Sequence, residues 1–151
     1  MKRNRVGTSL LEVVIAGIFL VPFILMLVDG IVLGAALAKN ESICREAARQ
    51  ASTSNPRDAR AKAESVIKSV SVGGVVSGIE LADFSSTIAT KDLQSVEPFG
   101  GSLRGTVTVR TDVVVHPLVI QWLFKGRTPL KFESVQTFPF TYQMPGPLGA
   151  S

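Results

Sequence analysis

The chain of 151 residues has one cysteine, Cys44, and one histidine, His116. A single cysteine forms no intrachain disulfide and supplies no thiolate metal cluster. A single histidine likewise excludes a zinc site built from several histidines. His116 precedes Pro117 at the end of a strand-like run, which favours a structural role for it. We therefore expect no metal ion and no cofactor.

The sequence also lacks the residue combinations that enzymes use. The acidic residues are scattered without a pair at metal-ligand spacing, and the many serines accompany no nucleophile motif. Gly73 and Gly74 are not followed by the Gly-Lys-Ser/Thr of a phosphate-binding loop. These absences predict a protein that is not an enzyme and has no catalytic residues.

An excess of charge of one sign is absent from most of the chain. The net charge is +4, but Lys2, Arg3 and Arg5 supply three of the sixteen basic residues. Without them, thirteen basic residues face twelve acidic ones, a net charge of +1. No basic stripe with interleaved aromatic residues remains, so nucleic acid is not an expected partner.

What the chain does have is a long apolar run near its start. Residues 13–28 contain no charge, and residues 31–38 continue the run after Asp29 and Gly30. Spanning about 30 Å of hydrocarbon takes about 20 helical residues, and residues 10–28 supply that length with one interruption, Glu12. The basic residues ahead of the run predict a cytoplasmic N-terminus and a C-terminus outside.

The sequence allows three interpretations of this apolar segment. Ala36-Leu37-Ala38 has the small-x-small form of a signal-peptide cleavage site, although the apolar stretch is longer than a usual signal core and carries two acids. An uncleaved membrane anchor explains the hydrophobicity and the basic flank, but not an acid inside the span. The third interpretation gives that acid a partner.

Gly7-Thr-Ser-Leu-Leu-Glu12 resembles the processing site of type IV prepilins and pseudopilins. The resemblance implies that a prepilin peptidase cuts between Gly7 and Thr8 and that Glu12 becomes the fifth mature residue. The new amino group would then pair with Glu12 of a neighbouring subunit and help to set the axial register of assembly. Thr8 differs from the Phe or Met of many major pilins, whereas small residues there are usual among pseudopilins.

Two further stretches are similar to TadE-like pseudopilins of tight-adherence pilus systems. They are Met26-Leu-Val-Asp29-Gly30, an acid and a glycine after the apolar run, and Arg45-Glu-Ala-Ala-Arg49-Gln-Ala51. The cysteine pair common in the outer domain of that family is missing. Two alternative functions remain. The nearer alternative is a type II secretion pseudopilin or minor type IV pilin, and the more distant one is an uncleaved membrane-anchored binding domain.

Two residues of the apolar run are candidate contacts with a neighbouring subunit or with the membrane interface. Asp29 lies near the outer end of the span, where it either reaches interfacial water or contacts another subunit. Pro22 removes one helical hydrogen bond and is expected to kink the helix. It either helps the helix to leave the bilayer or is simply tolerated there.

The remaining residues predict an α+β fold of pilin-like form: a long N-terminal helix, a second helix and a small antiparallel sheet. A thin stripe of small apolar residues between Lys39 and Thr53 suits close packing on a sheet or helix. Asn55 and Pro56 are expected to begin the second helix, which runs to about Val70. Its expected buried residues are Ala59, Ala63, Val66, Ile67 and Val70.

Three regions are expected to form strands. They are residues 79–90, which form one or two short strands, residues 106–115 and residues 129–142. Alternate residues of the middle strand, from Val107 to Val115, are expected on one buried face. The segment from Pro117 to Phe124 is expected to form one or two helical turns. Its Trp122 has three open roles: a core residue, a subunit contact or a foot on the membrane.

The expected organisation is therefore a basic leader (1–7), a long helix (8–54) with a span of about residues 10–38, an extracytoplasmic α+β domain (55–144) and a flexible tail (145–151). The expected function is that of a minor pseudopilin, in the cytoplasmic membrane or in a pilus at the cell surface. The resemblance implies as partners a prepilin peptidase, other pilin subunits, an inner-membrane assembly platform with its secretion ATPase, and membrane lipid.

Overall fold

A computed structural model describes residues 6–70, 76–88, 92, 94, 100–117, 119 and 129–144. Within these residues, two helices are followed by three strands. Their bounds are α1 Val6–Thr53, α2 Ala59–Ser69, β1 Val76–Ser86, β2 Gly101–Val115 and β3 Leu130–Met144. The strands form one antiparallel sheet in the order β1-β2-β3. The predicted α+β layout, with a long apolar N-terminal helix, is thus confirmed.

Some predictions fall outside the described residues. These are the first five residues of the basic leader, the Gly73-Gly74 loop, the tail from Pro145, and the apolar segment after Pro117 apart from Val119. The assignment of Trp122 to the core, to a subunit contact or to the membrane therefore stays a prediction.

The first helix ends at Thr53, where serines and a following proline disfavour further helical turns. The hydroxyls of Ser52 and Ser54 donate hydrogen bonds to backbone carbonyls one turn earlier. The distances are 2.8 Å from Ser52 Oγ to Arg49 O and 3.0 Å from Ser54 Oγ to Ala51 O. Pro56 disfavours helical geometry at Asn55 before it. Two carbonyls of the last turns of α1, those of Arg49 and Ala51, accept these hydrogen bonds, and the chain then turns back.

The second helix begins later than predicted. Asn55 does not cap it: its Oδ1 accepts a 3.0 Å bond from Arg57 N, and its carbonyl accepts a 2.9 Å bond from Asp58 N. This side chain closes its own turn, a use that asparagine often finds outside helices, and the helix starts at Ala59. The expected buried face is confirmed for Ala59, Ala63 and Ile67, and Val66 and Val70 pack partly buried against it.

The middle strand carries the core of the sheet. Its burial alternates, and the expected inward face is confirmed, with Val107, Val109, Thr111, Val113 and Val115 all buried. β2 starts five residues earlier than predicted and pairs with β3 without a register shift, from Gly101 opposite Met144 to Val115 opposite Leu130. One layer of helices covers the inner face of the sheet.

The contact between α1 and the sheet is made by small side chains. Ala47, Ala48 and Ala51 are completely buried, so the helix backbone comes close to the strands. This confirms the small-residue stripe predicted between Lys39 and Thr53. Phe140 of β3 is the largest completely buried side chain of the core.

Two polar side chains join this helix to the strands. Asn40 Nδ2 donates to the carbonyls of Thr111 and Phe132, each at 3.4 Å, and Asn40 Oδ1 accepts from Thr111 Oγ1 at 2.9 Å. One turn later, Cys44 Sγ lies 3.3 Å from Val109 O and 3.4 Å from Ser134 O. Four helical residues advance about as far as two strand residues, so α1 runs along β2 and β3. We call this line of contacts the Asn40 seam.

We expect Asn40→Ala to lower the free energy of unfolding by about 2–3 kcal/mol, because it leaves the buried Thr111 hydroxyl without its partner. The neighbouring Glu41→Ala is the matched control. The Glu41 side chain is exposed and pairs with Arg45 on the surface, so we expect a change within about 0.5 kcal/mol. Urea unfolding of the full-length protein in detergent micelles, followed by circular dichroism, measures both. Equal effects of the two substitutions would contradict the assignment of the seam.

Candidate functional site: the N-terminal helix and its junction with the folded domain

The first part of α1 packs against no other element of the part of the chain that the structure describes. Residues 11–28, the exposed segment, are solvent-facing with Gly17 alone intermediate, and their large apolar side chains show between 45% (Leu25) and 73% (Phe19) of their surface. At 1.5 Å per residue the segment is about 27 Å long, close to the hydrocarbon thickness of a bilayer. In length and composition α1 is a helix that could span a membrane.

A soluble monomer rarely exposes so much contiguous apolar surface. The fold supplies no cover from its own sheet or from α2 for the exposed segment, since the buried core begins only beyond it. None of the elements that the structure describes covers it, and an apolar surface of this kind suits lipid or another protein.

The predicted processing residues lie at the beginning of this helix. Gly7 and Thr8 are both within α1, which begins at Val6, and Glu12 is exposed one turn after Thr8. Residues four apart share one face of a helix. The geometry thus places Glu12 on the exposed surface close to the expected new N-terminus. Its role in assembly stays a prediction.

The helix continues through Pro22, which lies inside α1 with an exposed side chain. A proline there leaves the carbonyl four residues earlier without its usual helical donor. Both sequence-based roles of Pro22, in leaving the bilayer or as a tolerated residue, stay predictions.

Asp29 is where the helix meets the rest of the molecule. Its side chain is only 4% exposed, and its Oδ2 accepts a 2.7 Å hydrogen bond from Val119 N. Pro117, two residues before Val119, is also buried. The prediction that Asp29 reaches interfacial water is therefore wrong, because the fold uses this carboxylate to hold the chain that leaves β2. A contact with a neighbouring subunit stays a prediction.

Sequence reasoning missed this role, although a signal was present. The positions of α1 that turn inward recur every three or four residues: Asp29, Ala36, Asn40 and Ile43 are buried, and Leu33 is partly buried. This is the spacing of one helix face. Extending the predicted stripe nearly three turns back from Lys39 leads to Asp29. Residues 29–53 are called the packed segment below.

The outward side of the packed segment is charged, in contrast to the exposed segment. Arg45 pairs with Glu41 at 3.4 Å, and Arg49 with Glu46 at 3.2 Å. Hydrogen bonds from Gln50 and then Arg49 hold the pKa of Glu46 below its ordinary value. A charged helix face of this kind suits contact with water. The packed segment therefore suits an aqueous environment, and the exposed segment suits an apolar one.

No metal centre is found within the part of the chain that the structure describes, which has no group of three His, Cys, Asp or Glu side chains placed to hold an ion. A surface groove of about 250 Å³ lies between α2 and β1. Salt-bridging residues of α2, Arg60, Glu64 and Lys68, line one side of it. Glu64 pairs with both cations on an open surface, and the three side chains form no nucleophile–base pair.

None of the protein-family models, curated proteins or solved structures compared with this chain matches it. The class is therefore defined by the fold itself. It consists of a long apolar N-terminal helix followed by a small antiparallel sheet, an arrangement compatible with a pilin-like fold.

We expect Asp29→Ala to destabilise the folded domain by about 1–3 kcal/mol, since it removes a buried charge-assisted hydrogen bond. The same substitution should speed hydrogen exchange at the Val119 amide. Asp29→Asn keeps an acceptor oxygen at the same place and should lie between Ala and wild type. If Val119 exchanges at the wild-type rate in Asp29→Ala, the carboxylate does not hold this amide.

Proposed function

We propose that this chain is a TadE-like pseudopilin, a minor structural subunit of a tight-adherence type pilus or secretion machinery. The observation that carries the proposal is the Gly7-Thr-Ser-Leu-Leu-Glu12 stretch at the start of a helix whose next apolar turns are left uncovered by the fold. A processing site that opens directly onto an uncovered apolar helix is what filament subunits of this superfamily require.

The first step of the proposed function is insertion and processing. The basic leader keeps the N-terminus in the cytoplasm while the exposed segment crosses the membrane. A prepilin peptidase removes residues 1–7, and the mature chain begins at Thr8. Cleavage exchanges a basic leader for one amino group at the end of an apolar helix.

The second step is assembly through Glu12. A carboxylate inside a bilayer costs about 2.5–3.5 kcal/mol on insertion scales, and less near the edge of the span. Pairing with the new amino group of a neighbouring subunit offsets the cost for both charges. Since an unpaired buried charge is unfavourable, the pair favours one axial register among the possible stackings of the helices.

The third step is lateral packing by the exposed segment. Most of its side chains are large and aliphatic or aromatic, so they exchange lipid contacts for contacts with neighbouring helices at little cost in apolar burial. The partners in this proposal are other pilin subunits, the inner-membrane platform and the secretion ATPase that drives assembly. The domain that follows residue 29 lies outside the cytoplasm throughout.

We expect the membrane-extracted protein to begin at Thr8 when it is produced together with an active prepilin peptidase. Gly7→Arg should leave residues 1–7 in place, because a bulky charged residue replaces the glycine that precedes the cut. Gly17→Ala, at a helix position with no neighbour within 4 Å of an added Cβ, is the control and should be processed normally. Intact-mass spectrometry distinguishes the forms. A wild-type start at Met1 indicates an uncleaved anchor, and a start at Lys39 a secreted domain.

Replacing the acid tests the register. Glu12→Gln removes the charge at nearly constant size, and we expect it to reduce assembly into surface pili or cross-linked multimers at least tenfold, with processing at Thr8 preserved. Glu41→Gln is the matched control on the charged side of the same helix, and assembly should be unchanged. Wild-type assembly of Glu12→Gln would exclude a charge pair at this residue.

A further inference from the structure

The sheet has two outer edges, and its register shows which backbone groups reach them. Thr87, directly after β1, donates its N–H to Thr106 O at 3.0 Å, so Thr106 turns its backbone groups toward β1. Neighbouring residues of an antiparallel strand bond to opposite sides, and the odd-numbered residues of β2 therefore bond to β3. Their partners on β3 are the even-numbered residues. The odd-numbered residues of β3 thus point their N–H and C=O groups away from the sheet.

The outer edge of β3 is open over about 20 Å. It consists of Lys131, Glu133, Val135 and Thr137, and no strand among the described residues pairs with it. Pro139, the next residue of the series, has no N–H group, and a proline is tolerated in a sheet where its nitrogen faces outward. This proline supports the assignment of the edge and ends the stretch that another strand can join.

A groove of about 450 Å³ lies between this edge and α1. It is lined by Leu37, Ala38 and Glu41 on the helix side and by residues 133–136 on the strand side. In the described chain outside the exposed segment, the exposed large apolar side chains are Ile31, Leu37, Leu130 and Val135. Two of these four line the groove, so the outer edge of β3 offers apolar surface as well as backbone hydrogen-bonding groups.

β1 offers the opposite edge of the sheet. Ile79 lies opposite Val113, an odd-numbered residue that bonds to β3. Its own N–H and C=O groups therefore face away from β2, and the same holds for Leu81, opposite Thr111. Register shifts flank this stretch on both sides. The groove between β1 and α2 lies beside it, with Ile67, Ile79 and Leu81 as its apolar lining.

We infer that copies of this chain join edge to edge, with β3 of one copy pairing in parallel with β1 of the next. The occupant of the β3 groove is thus a second copy of the chain, and the sheet continues from one folded domain into another. The inference rests on the proposed membrane insertion of α1. It goes beyond that function because it assigns an assembly contact to the folded domain in addition to the helix.

The shared membrane decides between the possible edge pairings. Because α1 runs along β2 and β3, copies inserted in one bilayer have their strands pointing the same way. An antiparallel pairing of β3 with a second β3 would invert one copy. A two-fold axis along the membrane normal would place identical groups opposite one another, N–H against N–H, and no hydrogen bonds would form. β1 and β3 run in the same direction, so a copy displaced sideways brings its β1 alongside β3.

Charge also favours the pairing of unlike edges. The charged residues that line the β3 groove are two acids, Glu41 and Glu133. Arg60 and Lys68 line the β1 groove beside two acids, and their side chains are 69% and 79% exposed. Joining β3 to β1 brings these cations near the acids of the β3 groove, whereas joining two β3 edges would set acids only against acids. Exposed ion pairs contribute little energy, so the charges select the partner edge and the backbone and apolar contacts hold it.

The contact is heterologous, because two different surfaces of the chain meet. Each added copy again offers an outer β3 edge at one end of the row and an outer β1 edge at the other. A heterologous contact builds a ring if its rotation closes and an open filament if it does not. It therefore suits a subunit that assembles into an extended structure.

Cysteines placed on the two edges test the contact. Thr137 of β3 and Ser85 of β1 are exposed and lie on one rung, opposite Thr108 of β2. Within one chain they are two strand spacings, about 10 Å, apart, beyond the reach of a disulfide. Copies at one height in a bilayer bring Thr137 beside Ser85 of the next copy. Oxidation of the full-length variant Thr137→Cys, Ser85→Cys in phospholipid vesicles should give a ladder of disulfide-linked multimers on a non-reducing gel.

Two more cysteine pairs cover displaced registers. Combining Thr137→Cys with Asp83→Cys or with Glu80→Cys tests shifts of one and two rungs, and a ladder from either supports the contact in that register. Native Cys44 is completely buried, so the wild-type protein should stay monomeric on oxidation. Thr137→Cys with Arg49→Cys, on the charged side of α1, is the matched control and should form no ladder.

A proline on the outer edge distinguishes strand pairing from mere proximity. Val135→Pro removes an N–H group that points away from β2, so the sheet within one copy is kept, as it is at Pro139, while the ladder of the double-cysteine variant should be lost. Val135→Thr keeps the N–H group and a β-branched side chain, and the ladder should remain. Circular dichroism checks that both variants fold.

The inference is wrong if none of the three cysteine pairs gives a ladder, or if the ladder survives Val135→Pro. Dimers as the main product of Thr137→Cys alone would also overturn it, since they show β3 paired with itself. Carbonate extraction of the same vesicles keeps the two claims apart. A protein that resists extraction without forming a ladder refutes only the edge contact, and one that is extracted refutes membrane insertion.

Discussion

The Asn40 seam is the contact on which the rest of the structure depends. Alanines allow α1 to pack close to the sheet, and Asn40 and Cys44 donate hydrogen bonds to four backbone carbonyls of β2 and β3. Alanine surfaces alone would let the helix slide by a turn at small cost. A slide would leave Asn40 and the Thr111 hydroxyl buried without partners, which costs far more than an equivalent apolar mismatch. The polar pair therefore selects one position of the helix on the strands.

Because α1 is one continuous helix, that selection also fixes the exposed segment. The direction in which residues 11–28 leave the domain follows from the seam, and the Asp29–Val119 bond ties the same helix to the chain beyond β2. In the proposed assembly, a domain joined to its helix at two places moves with that helix when the subunit changes surroundings. Glu12 then sets the axial position of the domain as well as that of the helix.

The two parts of α1 use apolar residues in opposite ways. The exposed segment carries Leu, Ile, Val and Phe, whose bulk suits lipid tails or the grooves of a neighbouring helix. The packed segment has alanines toward the sheet and ion pairs toward water. Side-chain size thus separates the surface that faces partners outside the chain from the surface that closes its own core.

Periodicity and composition by themselves determined the two helices, the alternating face of β2, the small-residue stripe and the apolar segment, since each depends on neighbours within a few residues. Only the tertiary structure showed that Asp29 is buried, that Asn40 joins two strands and that Asn55 closes a turn instead of capping α2. The bonds of Asn40 and Asp29 link residues that are 71 to 92 positions apart. No local pattern specifies such a bond, because a buried polar side chain finds its partner only after the helix has been laid on the sheet.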